Sequence, residues 1–232
     1  MKLWGRTLVA ALISVLVVSV VPAWAADSPP TVSARANKSI YVAGQTATIT
    51  VTVWNVGPSA HLKVVARDAT GASKVLDDTD VSSQPGTNSA TKHYELYMYY
   101  DSSVDVYVGG ATEPSKTVSL PSRVAIGSTV AGFYQQSGSY AVFAKDAQPS
   151  FRSASAPARK YRCIKHEVWR KYSSTWKVIG LSACKYENTQ GTVTWQWTGK
   201  HSSGVHYRVR ARFLGDGLNH ANNGAFLYFS FK

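Results

Sequence analysis

The sequence is poor in the residues and motifs that most often carry chemistry. It has only two cysteines and no Cys-x-x-Cys pair, so the motifs of zinc ribbons and thioredoxin-like redox proteins are missing. Charged residues make up only 16% of the chain, and the absence of long Ala/Glu/Lys/Leu stretches excludes coiled coils and helical bundles. Gly-x-Ser-x-Gly, His-Glu-x-x-His and a phosphate-cradling glycine loop are also missing. The sequence therefore predicts a non-enzymatic protein without a metal or a cofactor.

Long apolar runs are scarce too, and the single one lies near the start of the chain. Two basic residues precede the run from Leu8 to Val21, and an Ala-Trp-Ala cleavage site follows it. The run is too short to span a bilayer comfortably. We therefore expect a signal peptide over residues 1–25, a mature chain that starts at Ala26 without a membrane span, and a secreted, extracellular location.

The chain is rich in the residues typical of extended strands. Its composition is 44% hydrophobic and 12% aromatic, and threonine, serine and valine are frequent. From Thr46 to Val53 apolar and polar residues alternate strictly, which predicts a strand with one buried face. Short segments with the same alternation recur along the chain, so the predicted fold class is all-β.

Net charge differs sharply between the two halves of the chain. Residues 27–120 hold 7 Lys/Arg and 9 Asp/Glu, whereas residues 121–232 hold 16 Lys/Arg and 4 Asp/Glu, a net charge of +12. Four carboxylates cannot neutralise sixteen cations. Most basic groups of the second half must therefore face water or an external anion.

A faint internal repeat also indicates two units. The pattern of residues 104–110 recurs at residues 209–215, an offset of 105 residues, and Gly86 and Gly191 share that offset. Units of about 100 residues with short alternating strands have the size of β-sandwiches. We predict a first domain over residues 26–120 and a basic second domain over residues 121–232.

Three motifs of the second unit are Val168-Trp169-Arg170, Trp176-Lys177-Val178 and the segment from Tyr207 to Phe213. In these motifs it resembles the immunoglobulin-like modules of secreted bacterial proteins. The first unit is similar to them through Tyr41-Val42-Ala43-Gly44-Gln45-Thr46. The resemblance implies two immunoglobulin-like β-sandwiches in tandem after the cleaved signal peptide. It also implies spacer, adhesive or accessory roles without shared catalytic residues.

Cys163 and Cys184 are predicted to form one disulfide, because exported chains with an even cysteine count commonly pair them. If Ser173-Ser174 is a two-residue hairpin loop, the two cysteines lie directly opposite each other on strands 161–172 and 175–186. A bridge that closes this segment contributes about 3 kcal/mol by the chain-entropy estimate. The same register assigns five apolar residues to the core: Ile164, Val168, Ile179, Leu181 and Ala183.

Four tryptophans of the second unit fall into two pairs. Trp169 and Trp176 share the other face of the hairpin with lysines and the disulfide, where they could stack on sugars or cations. The alternative is that they cover the hairpin and shield the bridge. Trp195 and Trp197 are two residues apart, hence on one strand face, and we predict that they belong to the core.

His206, Arg208, Arg210 and Arg212 form the most suggestive pattern, because they alternate with apolar residues on one predicted strand. Successive members of such a row are about 7 Å apart. An exposed row of guanidinium groups suits a repeating anion, such as a phosphate polymer or an acidic sugar. The alternative is an ordinary solvated strand face.

These patterns predict a binding or adhesion protein of the cell envelope, whose basic unit contacts an anionic cell-wall polymer or polysaccharide. A carbohydrate-binding module that uses Trp169 and Trp176, a purely structural module and a protein-binding inhibitor or adhesin remain alternatives. Nucleic acid is not an expected partner of an exported chain. The acidic segment at residues 77–80 is expected to be a solvated turn rather than a calcium site, and the six histidines show no metal spacing.

Overall fold

The computed structural model describes residues 28–232, which contain twenty β-strands and no helix. The predicted all-β class is confirmed, whereas the expected signal peptide lies outside the described residues. The strands are β1 (Thr31–Ala36), β2 (Tyr41–Val42), β3 (Thr46–Trp54), β4 (Ala60–Asp68), β5 (Ser73–Val81), β6 (Ser89–Tyr97), β7 (Ser102–Val108), β8 (Lys116–Leu120), β9 (Ser122–Arg123), β10 (Ala125–Ala131), β11 (Gln135–Ser137), β12 (Tyr140–Phe143), β13 (Ser150–Ala156), β14 (Cys163–Tyr172), β15 (Thr175–Leu181), β16 (Lys185–Tyr186), β17 (Thr192–Gln196), β18 (His206–Phe213), β19 (Asn222–Asn223) and β20 (Leu227–Phe231). Between residues 28 and 232, no helix is long and apolar enough to cross a membrane.

Residues 31–120 form two sheets that pack against each other over one hydrophobic core. One sheet has the strand order β1-β3-β6 and the other the order β5-β4-β7-β8. The alternation predicted for β3 is confirmed, because Ala47, Ile49, Val51 and Val53 are buried in this core. Most of the other core residues are valine, leucine and alanine from β4, β7 and β8.

Residues 124–231 form a second pair of sheets around a core that is rich in aromatic rings. The smaller sheet has the order β10-β13-β17, and the larger one runs β11-β12-β20-β18-β14-β15, with β16 on β14 and β19 on β18. The largest buried rings include Phe143, Phe151, Tyr207 and Phe229. The core also contains Trp197, which is buried, and Trp195, which is partly buried. The predicted core position of these two tryptophans is therefore confirmed.

The segment that follows β18 joins the two halves of the molecule. The carbonyl of Leu218 accepts a hydrogen bond from the Asp101 amide at 2.8 Å. The Asn219 side-chain amide donates to the Tyr99 carbonyl at 2.9 Å. Along the chain, the residues of the first hydrophobic core end at Leu120 and those of the second half begin at Val124. The strand between them, β9, nevertheless pairs with β2 of the first half. The domain boundary after residue 120 therefore stays a prediction.

The Cys163–Cys184 disulfide is present, with its Cα atoms 5.1 Å apart, but the predicted register around it is wrong. The hairpin keeps the expected pairs only as far as Trp169 and Val178, where a bulge shifts the register by one residue. Cys163 therefore pairs with Tyr186 of β16 rather than with Cys184. The bridge links β14 to the short connection between β15 and β16.

Three of the five hairpin residues predicted to lie in the core are exposed, because of the bulge and the edge position of β15. Ile164 and Val168 are buried, whereas Ile179, Leu181 and Ala183 are exposed. In the facing three-stranded sheet, β10 contacts β18 and β20 in the middle of the larger sheet, whereas β15 lies at the edge of that sheet.

The acidic segment at residues 77–80 is not the expected turn. It lies within β5, which pairs with β4 as an edge strand.

Candidate functional site

The two candidate sites predicted in the second half lie on one surface. Alternation along β18 buries Tyr207, Val209 and Phe213 and turns the charged residues between them to the opposite side of the sheet. Trp169 of β14 is the direct cross-strand partner of Arg208. We call this surface the outer face. Cross-strand pairing and contact with Arg208 place these side chains on it: Lys165, Glu167, Trp169, Lys171, Trp176, His206, Arg208, Arg210, Arg212, Phe226 and Tyr228.

Arg210 and Arg212 do not form the expected exposed row, because both contact Glu167. Arg210 Nε donates to Glu167 Oε2 and Arg212 Nη1 donates to Oε1, each at 2.8 Å. The side chains of Arg210 and Arg212 are 23% and 32% exposed, and that of Glu167 is 7% exposed. The expectation of a solvent-exposed arginine row is therefore wrong. The reason is the β14–β18 register, which brings a carboxylate between two members of the row.

Glu167 remains an ionised carboxylate in this position. Burial alone would raise its pKa, but the hydrogen bond from Arg210 and the charges of both arginines lower the pKa below its usual range. One negative charge therefore offsets two positive ones, and Arg210 and Arg212 are partly neutralised within the protein.

Arg208 has a different environment, formed by aromatic rings. Its guanidinium carbon lies 3.9 Å from the ring centroid of Phe226, 4.6 Å from that of Trp176 and 4.9 Å from that of Trp169. No carboxylate among residues 28–232 forms an ion pair with it, and its Nε has no hydrogen-bond partner there. Stacking engages the faces of a guanidinium plane, whereas its N–H donors lie in that plane. Arg208 is thus a positioned cation without an internal counter-ion.

Further aromatic rings continue the outer face across the sheet. The ring of Tyr228 lies 5.9 Å from that of Trp176, and Tyr140 lies 5.6 Å from Tyr228. Exposed His206 has its imidazole 4.3 Å from the Tyr140 ring. The predicted sugar-stacking residues and the predicted anion-binding residues therefore share one aromatic and basic surface.

Most positive charge in the second half lacks a carboxylate partner. Of its 16 Lys/Arg, four form ion pairs within the described residues: Arg159, Arg162, Arg210 and Arg212. The 12 others include Lys165 and Lys171, which belong to the outer face and lie on either side of Glu167 and Trp169 along β14. The basic character predicted from composition is therefore concentrated in groups that are free to meet an external anion.

The acidic residues of β5 illustrate the opposite arrangement. His61 contacts Asp78 at 2.9 Å and Asp80 at 3.0 Å, and these hydrogen bonds raise the histidine pKa. Lys92 and Tyr94 each contact Asp77 at 2.7 Å. Asp77, Asp78 and Asp80 therefore all contact basic side chains of the same surface. No group of three or more potential metal-ligating His, Cys, Asp or Glu side chains occurs between residues 28 and 232.

Two buried polar groups were not foreseen from the sequence. The side chain of Arg162 has no exposed area, and it donates to Ser155 Oγ at 3.1 Å and to Asn219 Oδ1 at 3.2 Å. His166 is also buried, with its Nε2 3.0 Å from Ser153 Oγ and its ring stacked on Trp195. Burial, with the Lys185 charge as a smaller cause, lowers the His166 pKa to about 4.

Comparison with known proteins assigns no family to this chain. No protein-family model matches the chain, and no curated protein matches it. One solved structure with some similarity is red sea bream transglutaminase, with 10% sequence identity and a TM-score of 0.35 over 88% of this chain. The chain spans 31% of that protein's length. A similarity of this size carries no argument about activity or ligands.

Proposed function

We propose that the protein is a secreted, non-enzymatic binding or adhesion protein of the cell envelope, built from two immunoglobulin-like modules, whose outer face contacts an anionic polymer. The observation that carries the proposal is Arg208, a cation held among three aromatic rings without a carboxylate partner in the described residues. The single disulfide is compatible with the oxidising compartment that an exported protein enters.

The environment of Arg208 favours an anionic ligand over a neutral sugar. A neutral sugar would leave the Arg208 charge without a counter-ion beside the rings of Trp169 and Trp176, whereas an anionic ligand would neutralise it. An arginine without a counter-ion has more to gain from an anion than Arg210 or Arg212, which already contact Glu167. Lys165 and Lys171 add unpaired charge along the neighbouring strand.

Binding of the full chain to an immobilised anionic polysaccharide tests the proposal. We expect binding at low salt that declines steeply as ionic strength rises, because exposed charges are screened. The double variant Lys165→Ser/Lys171→Ser should bind severalfold more weakly. A matched control, Lys145→Ser/Lys200→Ser, removes the same charge from exposed positions outside the outer face and should change binding much less.

Each contrary result overturns a stated part of the proposal. Equal losses in both double variants would mean that total charge, rather than the outer face, governs binding. Binding that does not depend on salt would point to neutral-sugar stacking. Absence of binding at low salt would exclude an anionic polysaccharide as the ligand.

A further inference from the structure

The arrangement of charge and rings on the outer face points to a specific class of polymer. We infer that Arg208 and Trp176 together recognise a pyranose ring that bears an oxyanion, so that the ligand is an acidic polysaccharide rather than a ring-free polyanion such as polyphosphate. This inference rests on the proposed function of the outer face and adds the chemistry of the repeating unit.

The positions of the two groups carry the first step. The Arg208 guanidinium lies 4.6 Å from the Trp176 ring centroid, so an apolar ring surface and a cation are immediate neighbours. An acidic sugar presents the same two features side by side, because its C–H groups pack on aromatic faces and its oxyanion accepts hydrogen bonds. A polyphosphate chain has no group that would use the aromatic rings.

Access to Trp176 carries the second step. Trp176 lies on β15, the edge strand of the larger sheet, and its indole is only partly buried. The next outward-facing residue of that strand, Val178, is 48% exposed. A sugar ring can therefore approach Trp176 from the open side of the sheet edge without displacing the core.

The chemistry of arginine carries the third step. A guanidinium offers a planar fork of N–H donors that matches the oxygens of a carboxylate or a sulfate, whereas a lysine ammonium acts as a point charge. The rings of Trp169 and Phe226 restrict the Arg208 side chain before any ligand arrives, which lowers the entropy cost of binding. Arg210 and Arg212 already contact Glu167, so recognition depends mainly on one arginine.

The test compares three polymers with the full chain at one low salt concentration and equal charge concentration. Polygalacturonate carries a carboxylate on each sugar ring, dextran sulfate carries sulfate on sugar rings, and polyphosphate carries charge without rings. We expect at least one sugar polymer to bind about tenfold more tightly than polyphosphate, which corresponds to the energy of a good aromatic contact. The order of the two sugar polymers identifies the oxyanion.

Two variants and one control assign the effect to residues. Trp176→Ala should bring sugar-polymer binding down to about the level of polyphosphate binding. Arg208→Lys keeps the charge but removes the fork, and should weaken sugar-polymer binding severalfold. Arg152→Lys makes the same exchange at an exposed position on the smaller sheet and should have no effect.

The outcomes separate this inference from the proposed function. If polyphosphate binds as tightly as both sugar polymers, or if Trp176→Ala leaves the sugar preference intact, the inference is wrong while polyanion binding stands. If none of the three polymers binds at low salt, the proposed function itself fails. Should Trp176→Ala not fold, the comparison of polymers on the parent protein and the Arg208→Lys variant still decides the question.

Discussion

The two halves of the molecule use the same strand alternation but fill it with different side chains. The core of residues 31–120 consists mainly of valine, alanine, leucine and isoleucine. The core of residues 124–231 contains phenylalanine, tyrosine and tryptophan rings that contact one another, such as Phe151 with Phe229 at 5.3 Å. On their surfaces, the acidic residues of β5 in the first half all contact a neighbouring basic side chain, whereas 12 of the 16 Lys/Arg in the second half form no ion pair within the described residues.

The contrast shows that alternation alone does not determine whether a charged strand face is free. The acidic residues of β5 face His61, Lys63 and Lys92, so each finds a partner on the same surface. In the second half, Glu167 and Asp216 each contact two arginines, and the other 12 Lys/Arg form no ion pair within the described residues. In the second half, the scarcity of carboxylates therefore limits how many cations can be paired within the protein.

The largest difference between the halves should appear when one buried and one exposed arginine are removed. Arg162 has no exposed side-chain area, stacks on Phe213 and contacts Asp216, whereas Arg67 is 51% exposed and pairs with Asp105. We expect Arg162→Ala to lower the free energy of unfolding by ~3 kcal/mol or more, since it leaves buried partners unpaired. Arg67→Ala should cost less than about 1 kcal/mol.

Urea unfolding of the two full-length variants measures this difference directly. A smaller loss for Arg162→Ala than for Arg67→Ala would contradict the structural role assigned to Arg162. Because Asn219 contacts both Arg162 and the Tyr99 carbonyl, Arg162→Ala should also increase amide hydrogen exchange at Asp101, next to that contact.

Acid should also distinguish the two halves. As the pH falls, the second half should begin to lose stability at a higher pH than the first half does. Burial holds the His166 pKa at about 4 against 6.5 in the unfolded chain, so the folded state binds this proton less well. Its contribution is complete above pH 6.5 and is lost as the pH falls from 6.5 towards 4. The loss is about 3 kcal/mol when integrated over that window.

In the first half the corresponding group is Asp77. Partial burial would raise its pKa, but hydrogen bonds from Lys92, Tyr94 and Thr79 outweigh that effect and lower the pKa to about 2. Its contribution, about 2 kcal/mol, is therefore present above pH 3.8 and is lost only between pH 3.8 and 2.

Urea midpoints measured from pH 7 to 2 distinguish the two groups. His166→Gln should flatten the decline between pH 6.5 and 4, and Asp77→Asn should flatten the decline below 3.8. Tryptophan fluorescence reports the first step, because Trp195 stacks on His166 at 5.1 Å. An unchanged decline in the His166→Gln protein would show that another group controls acid stability in the second half.

The sequence predicts features that depend on local pattern better than those that depend on distant partners. It predicts the buried face of β3, the core position of Trp197 and the Cys163–Cys184 bridge. It misses the bulge between Val168 and Trp169 and the contact of Arg210 with Glu167, because both depend on how β14 pairs with its neighbours.

The two glycines of the internal repeat show the same limit. Gly86 and Gly191 both have positive φ, at 78° and 67°, a conformation that favours glycine, although Gly86 is the third residue of the turn that starts at Gln84 and Gly191 is the last residue of the turn that starts at Asn188. A Cβ atom at Gly191 would lie 2.7 Å from Ala158, whereas one at Gly86 would meet nothing within 4 Å. The repeat captures the backbone conformation but not the packing around it.

A gain of binding, with a smaller loss of stability than in Arg162→Ala, should come from replacing the carboxylate that pairs with Arg210 and Arg212. Glu167→Gln keeps the side-chain volume and releases Arg210 and Arg212, which are both partly exposed and can reach water or a ligand. We expect stability to fall by about 2 kcal/mol, because the glutamine amide oxygen can accept one arginine hydrogen bond while the second arginine loses its carboxylate. Affinity for an anionic polysaccharide at low salt should rise severalfold.

The matched control Asp146→Asn removes an equal charge from an exposed position outside the outer face and should raise affinity much less. Equal gains in the two variants would mean that total charge sets the affinity, and a loss in Glu167→Gln would mean that the two arginines must stay fixed by Glu167 for the face to bind. A gain confined to Glu167→Gln, in a protein whose urea midpoint shows that it is folded, tests the outer face independently of every variant that removes a cation.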